Sequence, residues 1–423
     1  MHGSFRGVTQ MASHLPFASG ESRRQLALAA VALLVAACAL MAVGGTRLAD
    51  EWVHYAQVQW FVDGNYAVVE PLTTLPGFHA IVALVLKVSG IHAFGLARGV
   101  TIAFAVVAAL GFARLRRKLF PGTDALLPTL QFAFFPILFP FCFLLYTDVP
   151  SLALVLWAFS LSLDRRHLAA GAIGIAALSI RQTNVVWICF VALLQFMALR
   201  PAGAPWRERL HGAVALWPYT AAVAAFAGYW LLHGSISLSR SQARAHPDIS
   251  LHTGNLFFML FLAGVLFLPL LPAWLGRYAT AARARPVLLA LPLALAALYA
   301  TTFRVDHPFN AILPDEFLRN GLLLWAIRYH GSFAAFGAVA VAAACALTQV
   351  RWQRPSFALL LPVSALFVSA SWLIEQRYYL IPFALLQAFR APEDRRAERL
   401  LLAAWMPLAL WLLWGTLTNR FFL

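Results

Sequence analysis

The sequence predicts an all-α protein that crosses a membrane many times. Hydrophobic residues make up 61% of the 423 residues and charged residues only 12%. This is too few charged residues to cover the surface of a water-soluble protein. The mean hydropathy is +0.75. Continuous apolar runs recur along the whole chain, and several approach the roughly 20 residues that a helix needs to cross hydrocarbon. In lipid, such runs satisfy their backbone groups by forming helices.

The distribution of positive charge supports a polytopic arrangement. The net charge of +15 invites a nucleic-acid interpretation. However, Lys and Arg alternate with apolar runs so that nearly all the excess positive charge falls on loops of one side, which the positive-inside rule assigns to the cytoplasm. We therefore expect a lipid bilayer as partner and no nucleic acid.

The positive-inside rule also sets the topology. Residues 1–24 are polar, contain Arg6, Arg23 and Arg24, and are expected to be a cytoplasmic segment. Residues 25–423 then form a single transmembrane domain with about 13 spans. The predicted spans are 25–45, 94–113, 125–145, 150–163, 168–180, 185–199, 212–233, 255–276, 286–303, 331–348, 356–373, 380–389 and 400–418.

Residues 46–93 are predicted to form one large external loop. If residues 76–92 also crossed the membrane, the basic run 114–118 would lie outside, against the charge rule. Residues 76–92 are short, contain Lys87 and begin with Pro76-Gly77. We therefore expect two helices lying flat on the external surface, one beginning near Asp50 and one near Pro76.

The stretch after Asp50 places polar groups on one helical face. Residues at i, i+4 and i+7 share a face, which here carries Asp50, His54 and Gln57. Glu51 lies about 100° round the helix from Asp50, so the two carboxylates cannot face one acceptor. An interfacial helix with Asp50 as a simple cap remains the alternative interpretation.

Acids and arginines gather on the external side, which suggests two tasks. Acids can deprotonate an acceptor hydroxyl, and arginines can hold a phosphate. The candidate catalytic residues are Asp50, Glu51 and Asp148. The candidate substrate-binding residues are His54, Gln57, Arg181, Gln182, Asn184, Arg240, His307, Arg319, Glu375 and Arg377.

These residues also have structural interpretations. Arg181 and Arg377 fit snorkelling at a membrane surface, Asp148 fits a helix cap, and His307 fits a hydrogen-bonding role. Glycine-rich phosphate loops are missing, so a membrane-borne donor fits better than a nucleotide sugar. The four cysteines show no CxxC spacing. A divalent metal stays open, because acids and histidines face the same side.

Seven segments, in chain order, carry a resemblance to a known family. They are Asp50-Glu51-Trp52-Val53-His54 with Gln57, Asp63-Gly64-Asn65, residues 70–77, Tyr146-Thr147-Asp148, residues 181–184, His307-Pro308-Phe309 and residues 375–382. Over this range the chain resembles the dolichyl-phosphate-glucose-dependent α-1,2-glucosyltransferases, which add the last glucose to the lipid-linked N-glycan precursor.

The resemblance implies a GT-C fold with two juxtamembrane helices and a catalytic acid in the first external loop. It implies inverting transfer of a hexose, with glucose the expected sugar, from a polyprenyl-phosphate donor to a lipid-linked or surface glycan acceptor. Asp50 is the expected base and Glu51 the alternate. Asp148 would orient the acceptor or the base, and Arg181, Arg319 and Arg377 would stabilise the leaving phosphate.

The chain departs from the family pattern at several positions. Leu75 stands where a second proline is usual, Asp148 where Glu is usual, and Arg240 where Lys is usual. An acidic-Asn-Arg-His stretch survives only as Arg319-Asn320. The Ala- and Arg-rich composition suggests a bacterial homologue. The active site would face the periplasm in a bacterium or the endoplasmic reticulum lumen in a eukaryote.

The alternative function is a non-enzymatic flippase or transporter of lipid-linked sugars. A transporter needs ionisable groups near the middle of the membrane. The sequence instead gathers its ionisable groups at the ends of the predicted spans, which favours the transferase interpretation.

Overall fold

The computed structural model describes residues 46–198, 207, 212–239, 241–244, 247–248, 250–313 and 317–423. Within these ranges the regular structure is helical and no strand is present apart from two isolated bridges. The predicted all-α class is confirmed. Residues 1–24, the predicted span 25–45 and Arg240 lie outside the described residues.

Residues 46–93, predicted to be an external loop, contain two helices, as expected. They are α1 (Glu51–Val62) and α2 (Gly77–Ser89), and they pack against each other. Helix α1 begins one residue after Asp50 and buries Tyr55 and Val58 against α2, leaving Trp52 exposed. Loop residues 63–76 join them and fold back over the start of α1 through bonds from Gln57.

Helix α3 (Phe94–Leu119) is longer than the predicted span 94–113. The basic run 114–118, which follows the predicted span, continues the helix. The basic side chains of this run have partners on neighbouring segments. Arg114 and Lys118 both pair with Asp164, and buried Arg116 donates to the carbonyl oxygen of Arg390 at 2.7 Å.

The predicted span 125–145 is not a continuous helix. It consists of α4 (Leu126–Ala133), an irregular segment and a 3₁₀ turn at Pro140–Phe143. Pro136 and Pro140 lack backbone N–H groups, which explains the break. Because this segment is buried, its aromatic side chains form the centre of the main core.

The remaining helices follow in chain order, several of them preceded by a 3₁₀ turn. They are α5 (Asp148–Leu163), α6 (His167–Ile180), α7 (Val185–Ala198), α8 (Trp217–His233), α9 (Gly254–Leu266), α10 (Leu271–Ala284), α11 (Ala290–Thr302), α12 (Pro308–Ile312), α13 (Leu318–Arg328), α14 (His330–Leu347), α15 (Leu360–Ser369), α16 (Leu380–Phe389) and α17 (Arg395–Leu417).

Three described helices are long and apolar enough to cross a membrane. They are α3, α14 and α17, and a fourth span is counted if α9 and α10, which meet at 114°, are taken as one. Pro269 and Pro272 stand at that bend. The other apolar helices are shorter, so the predicted count of about 13 spans is not confirmed. The apolar helices agree with an integral membrane protein.

Buried ion pairs lie near both ends of α3. Near its start, Arg98 pairs with Glu51 at 2.5 Å. Near its end, Arg116 lies close to Arg390, which pairs with Glu398 at 2.5 Å. Residues 98 and 116 are about 27 Å apart along the helix, at 1.5 Å per residue. That distance is close to the thickness of a bilayer core.

Gly77 lets α2 approach the end of α6. A Cβ atom at this position would lie 2.5 Å from both the carbonyl and the hydroxyl oxygen of Ser179, two residues before Arg181. We therefore expect Gly77→Ala to destabilise the protein by about 1–3 kcal/mol, the usual cost of overpacking. Thermal unfolding of purified protein in one detergent measures this.

Gly99→Ala is the matched control, because a Cβ atom on Gly99, inside α3, meets nothing within 4 Å. Its unfolding temperature should equal or exceed that of the unchanged protein, since alanine favours a helix over glycine. Equal unfolding temperatures for the two variants would contradict the close approach of α2 to α6.

Candidate active site

A cavity of about 900 Å³ brings together residues from widely separated parts of the chain. Its polar end is formed by the start of α1, loop residues 71–74, residues 146–148 and 181–184, and residues 373–378. The predicted site residues that line it are Asp50, His54, Asp148, Arg181, Gln182, Asn184, Arg319, Glu375 and Arg377.

A chain of alternating charges crosses the polar end. Asp50 accepts a bond from Nη1 of Arg377 at 3.1 Å, and the Nε of Arg377 donates to Glu375. Glu375 also pairs with Nη2 of Arg319 at 3.0 Å. The side chain of Asp50 is 51% exposed, whereas that of Glu375 is 6% exposed. Asp50 is therefore the carboxylate of this chain that is open to the cavity.

A second ion pair stands beside the first chain. Asp148, in the first turn of α5, pairs with Arg181, which follows α6. The second oxygen of Asp148 has no hydrogen-bond partner in the described part of the chain and is buried. The carboxylates Asp50, Asp148 and Glu375 raise the pKa of Arg377 well above its usual value, against the effect of burial. Arg377 therefore stays charged at every working pH.

Glu51 lies outside the cavity, although sequence analysis proposed it as the alternate base. It is fully buried and accepts bonds from Arg98 at 2.5 and 2.9 Å. It also accepts from the backbone N–H groups of Leu48 at 2.9 Å and Leu145 at 2.7 Å. These bonds join the start of α1 to α3 and to the segment before α5.

Two further candidates do not reach the cavity. Gln57 is fully buried, donates to the carbonyl oxygen of Ala67 at 3.0 Å and accepts from the N–H of Val69 at 2.8 Å. His307 is fully buried as the cap of α12, where its Nδ1 accepts from the N–H of Phe309. Both predicted substrate contacts are thus occupied by backbone groups in this structure.

His54 is paired with a histidine that sequence analysis did not select. Its Nδ1 lies 2.9 Å from Nε2 of His79, which is fully buried in the first turns of α2. Burial, with the charges of Arg377 and Arg181, lowers the pKa of His54 to about 3. Burial and the neighbouring His54 also hold the pKa of His79 well below its usual value. Both rings are therefore neutral at pH 7 and share one proton between the facing nitrogens.

The amides of Gln182 and Asn184 hold the wall together. Gln182 accepts from the N–H of Leu75 and donates to the carbonyl oxygens of Thr73 and Ile236, so it joins two loops. Asn184 bonds Ser151 at 3.0 Å and the carbonyl oxygen of Ala177 at 2.8 Å. Their amide groups fix the shape of the cavity that both residues line.

Sequence analysis missed two groups of site residues. Tyr146 is buried and its hydroxyl accepts a bond from the N–H of Asp50 at 3.0 Å. Phe422 and Leu423 also line the cavity. Tyr146 precedes Asp148 by two residues in one of the segments that carry the resemblance, which was an available signal. No sequence signal places residues 422–423 in the site.

The other end of the cavity is apolar. Its wall comes from α7, with Val186, Cys189 and Leu193, and from α15, with Val363 and Leu366. Leu366 is 72% exposed and Leu193 40% exposed, so both helices carry cavity-lining side chains that reach the protein surface. A ligand that fits the whole cavity has a charged head and an apolar tail.

No metal centre is visible in the part of the chain that the structure describes. The His, Cys, Asp and Glu side chains there form no group of three or more that could hold a metal ion. Three of the acids that line the cavity, Asp50, Asp148 and Glu375, are paired with arginines. The fourth, Asp248, accepts bonds from Trp230, Ser235 and the N–H of Ile236.

The neighbouring carboxylates Asp50 and Glu51 should respond differently to neutralisation. We expect Glu51→Gln to destabilise the protein by roughly 3–5 kcal/mol, because it breaks a buried ion pair and leaves Arg98 unpaired. Asp50→Asn should cost less than about 1 kcal/mol, because the carboxylate is half exposed and Arg377 keeps Glu375. Thermal unfolding in detergent compares the two. Equal stability of both variants would contradict the division between a buried and an open carboxylate.

Comparisons with known proteins give independent evidence. Residues 46–211 match the model of the DIE2/ALG10 family. A Drosophila melanogaster protein named Dol-P-Glc:Glc(2)Man(9)GlcNAc(2)-PP-Dol alpha-1,2-glucosyltransferase is 28% identical over 420 residues, covering 89% of this chain and 90% of its own.

Relatives with the same printed name come from other eukaryotes. The rat protein is 30% identical over 161 residues, 34% of each chain. The Arabidopsis thaliana protein is 33% identical over 162 residues, 34% of this chain and 32% of its own. No solved structure matches. The resemblance seen in the sequence is confirmed: the chain is similar to the DIE2/ALG10 family model over residues 46–211 and to relatives named as Dol-P-Glc-dependent alpha-1,2-glucosyltransferases.

Proposed function

We propose that this protein is a membrane glucosyltransferase that moves glucose from a polyprenyl-phosphate donor, such as dolichyl-phosphate glucose, to a hydroxyl of a lipid-linked glycan. The observation that carries the proposal is the two-part cavity, in which an acid–arginine cluster continues into an apolar arm with lining side chains that reach the protein surface. A polyprenyl-phosphate sugar has the same division, with a charged, sugar-bearing head and an apolar chain.

The donor occupies both parts of the cavity in this proposal. Its chain lies between α7 and α15, and its phosphate reaches the arginines. Arg181 and Arg377 each keep 17% of the side chain exposed, whereas Arg319 keeps 6%. We therefore assign the phosphate contacts to Arg181 and Arg377, whose planar forks match phosphate oxygens. Arg319 holds Glu375, and Glu375 in turn fixes Arg377.

Asp50 is the proposed general base. Its open oxygen takes the proton from the acceptor hydroxyl while that oxygen forms a bond to C1 of glucose. The bond from C1 to the phosphate oxygen breaks at the same time, and the electron pair leaves with polyprenyl phosphate. Attack from the face opposite the phosphate inverts the configuration, so a β-linked donor gives an α-glucoside.

In the site without donor, each arginine of the polar end is already paired with a carboxylate, and the donor phosphate changes this pairing. The three arginines of the polar end are all paired with Asp50, Asp148 or Glu375, and the charges of these six side chains balance. A donor phosphate brings new negative charge to this neutral cluster, and Arg377 then divides its donors between Asp50 and the phosphate. Asp148 keeps one oxygen without a partner, and we assign it to orientation of an acceptor hydroxyl.

A flippase or transporter of lipid-linked sugars is the second candidate. It requires ionisable groups near the middle of the membrane. The buried charge clusters here lie near the two ends of α3 instead. The positive-inside distribution supports placing the cavity on the non-cytoplasmic face.

Turnover by purified protein tests the proposal. Protein in nanodiscs receives dolichyl-phosphate glucose and a dolichyl-diphosphate glycan ending in glucose, and mass spectrometry measures the gain of one hexose. We expect transfer from the glucose donor and little from dolichyl-phosphate mannose. Asp50→Asn should lower the rate by roughly 10²–10⁴-fold, the range for loss of a general base.

Three controls complete the experiment. Asp63→Asn neutralises an exposed acid outside the cavity, in the loop after α1, and should transfer at the normal rate. A parallel reaction with a chelator tests the divalent metal that the sequence leaves open. Movement of intact donor lipid across vesicles without release of dolichyl phosphate would replace the transferase with the flippase. Normal turnover by Asp50→Asn would remove Asp50 as the base.

A further inference from the structure

The last five residues fold back into the cavity, and we call residues 419–423 the C-terminal strap. Helix α17 ends at Leu417, and Asn419 adopts φ 52°, which reverses the chain. Phe421 then packs on Trp411 and Gly415 of α17, away from the cavity. Phe422 and Leu423 continue past it and form part of the cavity wall.

Phe422 packs between Tyr146 and Phe317 at the polar end of the cavity. Its ring stacks on Tyr146 with centroids 6.0 Å apart and contacts Phe317 at 5.7 Å. Its carbonyl oxygen accepts a bond from the N–H of Leu318 at 2.6 Å. The ring position is therefore set by packing on two sides and by a backbone bond to α13.

Tyr146 connects Phe422 to the charged residues of the polar end. Its hydroxyl accepts the N–H of Asp50 at 3.0 Å, the guanidinium of Arg377 lies 5.6 Å from its ring centre, and the ring of His54 meets it at 5.3 Å. Tyr146 is 1% exposed, so it cannot move independently of its neighbours. A shift of its ring displaces both Asp50 and Arg377.

The strap also holds the opposite end of the charge chain. The carbonyl oxygen of Leu423 accepts a bond from Nη1 of Arg319 at 2.5 Å. Arg319 pairs with Glu375, and Glu375 pairs with Arg377. Phe422 and Leu423 thus connect to the two ends of this series of ion pairs. Phe422 reaches Asp50 through Tyr146, and Leu423 bonds Arg319 directly.

We propose that Phe422 is a positioning residue for glucosyl transfer and acts through Tyr146 on the open carboxylate of Asp50. The inference rests on the proposed function. Because Phe422 acts through Tyr146 on the base Asp50 and lies away from the apolar arm, its loss should lower kcat by a larger factor than it raises the donor KM. If the strap only stabilised the fold, loss of Phe422 would lower stability and would not lower kcat selectively.

The test compares two phenylalanines of the same strap. Phe422→Leu should lower kcat between about 10- and 100-fold, the scale for displaced reacting groups, with a donor KM within about threefold of normal. Phe421→Leu makes the same chemical change on the face toward Trp411 and should keep kcat within about threefold. Rates are expressed per folded protein, which size-exclusion chromatography and thermal unfolding establish.

A double-mutant cycle with Tyr146→Phe tests the route of the effect. This change removes only the hydroxyl that bonds Asp50, and Tyr219→Phe, which removes a buried hydroxyl beside His167 outside the cavity, is its control. If Phe422 acts through Tyr146, the double variant should lose little more rate than the worse single variant.

Each outcome bears on the inference. Multiplicative rate losses in the double variant, or equal kcat for Phe422→Leu and Phe421→Leu, would overturn the positioning role while leaving the transferase intact. An increase in donor KM with unchanged kcat would overturn it as well. Absence of transfer by the unchanged protein would remove the proposed function and this inference together.

Discussion

The contact between Arg377 and the two carboxylates Asp50 and Glu375 is the interaction on which the site depends. It joins two parts of the chain that are far apart in sequence, because Asp50 precedes α1 and Arg377 follows α15. Charges in a poorly solvated cavity must be matched, since an unpaired buried charge costs several kcal/mol. The three carboxylates of the polar end meet this requirement because each is paired with an arginine.

The same constraint explains why neighbouring residues differ so much in role. Glu51 uses both oxygens to hold Arg98 and two backbone N–H groups, so α1 is fixed where it meets α3. Asp50, one residue earlier, is left half open with a single guanidinium. A rigid buried anchor beside an open carboxylate positions the open one, and this combination is what general-base chemistry requires.

Some of this could be predicted from the sequence and some could not. Composition and apolar runs predict the helical membrane class, and the loop argument predicts α1 and α2. Helical geometry predicts that Asp50 and Glu51 diverge, but only the position of Arg98, 47 residues away, decides which one is buried. Gln57 and His307 look like substrate contacts by residue type, yet nearby backbone groups satisfy them. Contacts between residues far apart in sequence, such as the contact of Phe422 with Tyr146, leave no local pattern in the sequence.

The central claim is that one cavity binds the head and the chain of a polyprenyl-phosphate sugar at its two ends. A dolichyl-phosphate analogue with a photoreactive group in the first isoprene units tests this most directly, with peptide mapping of the crosslinks. The account predicts crosslinks within residues 185–193 of α7 and 363–369 of α15, and their loss when unlabelled dolichyl phosphate, but not dolichol, is added. Crosslinks spread over the exposed face of α11, or equal competition by dolichol, would contradict it.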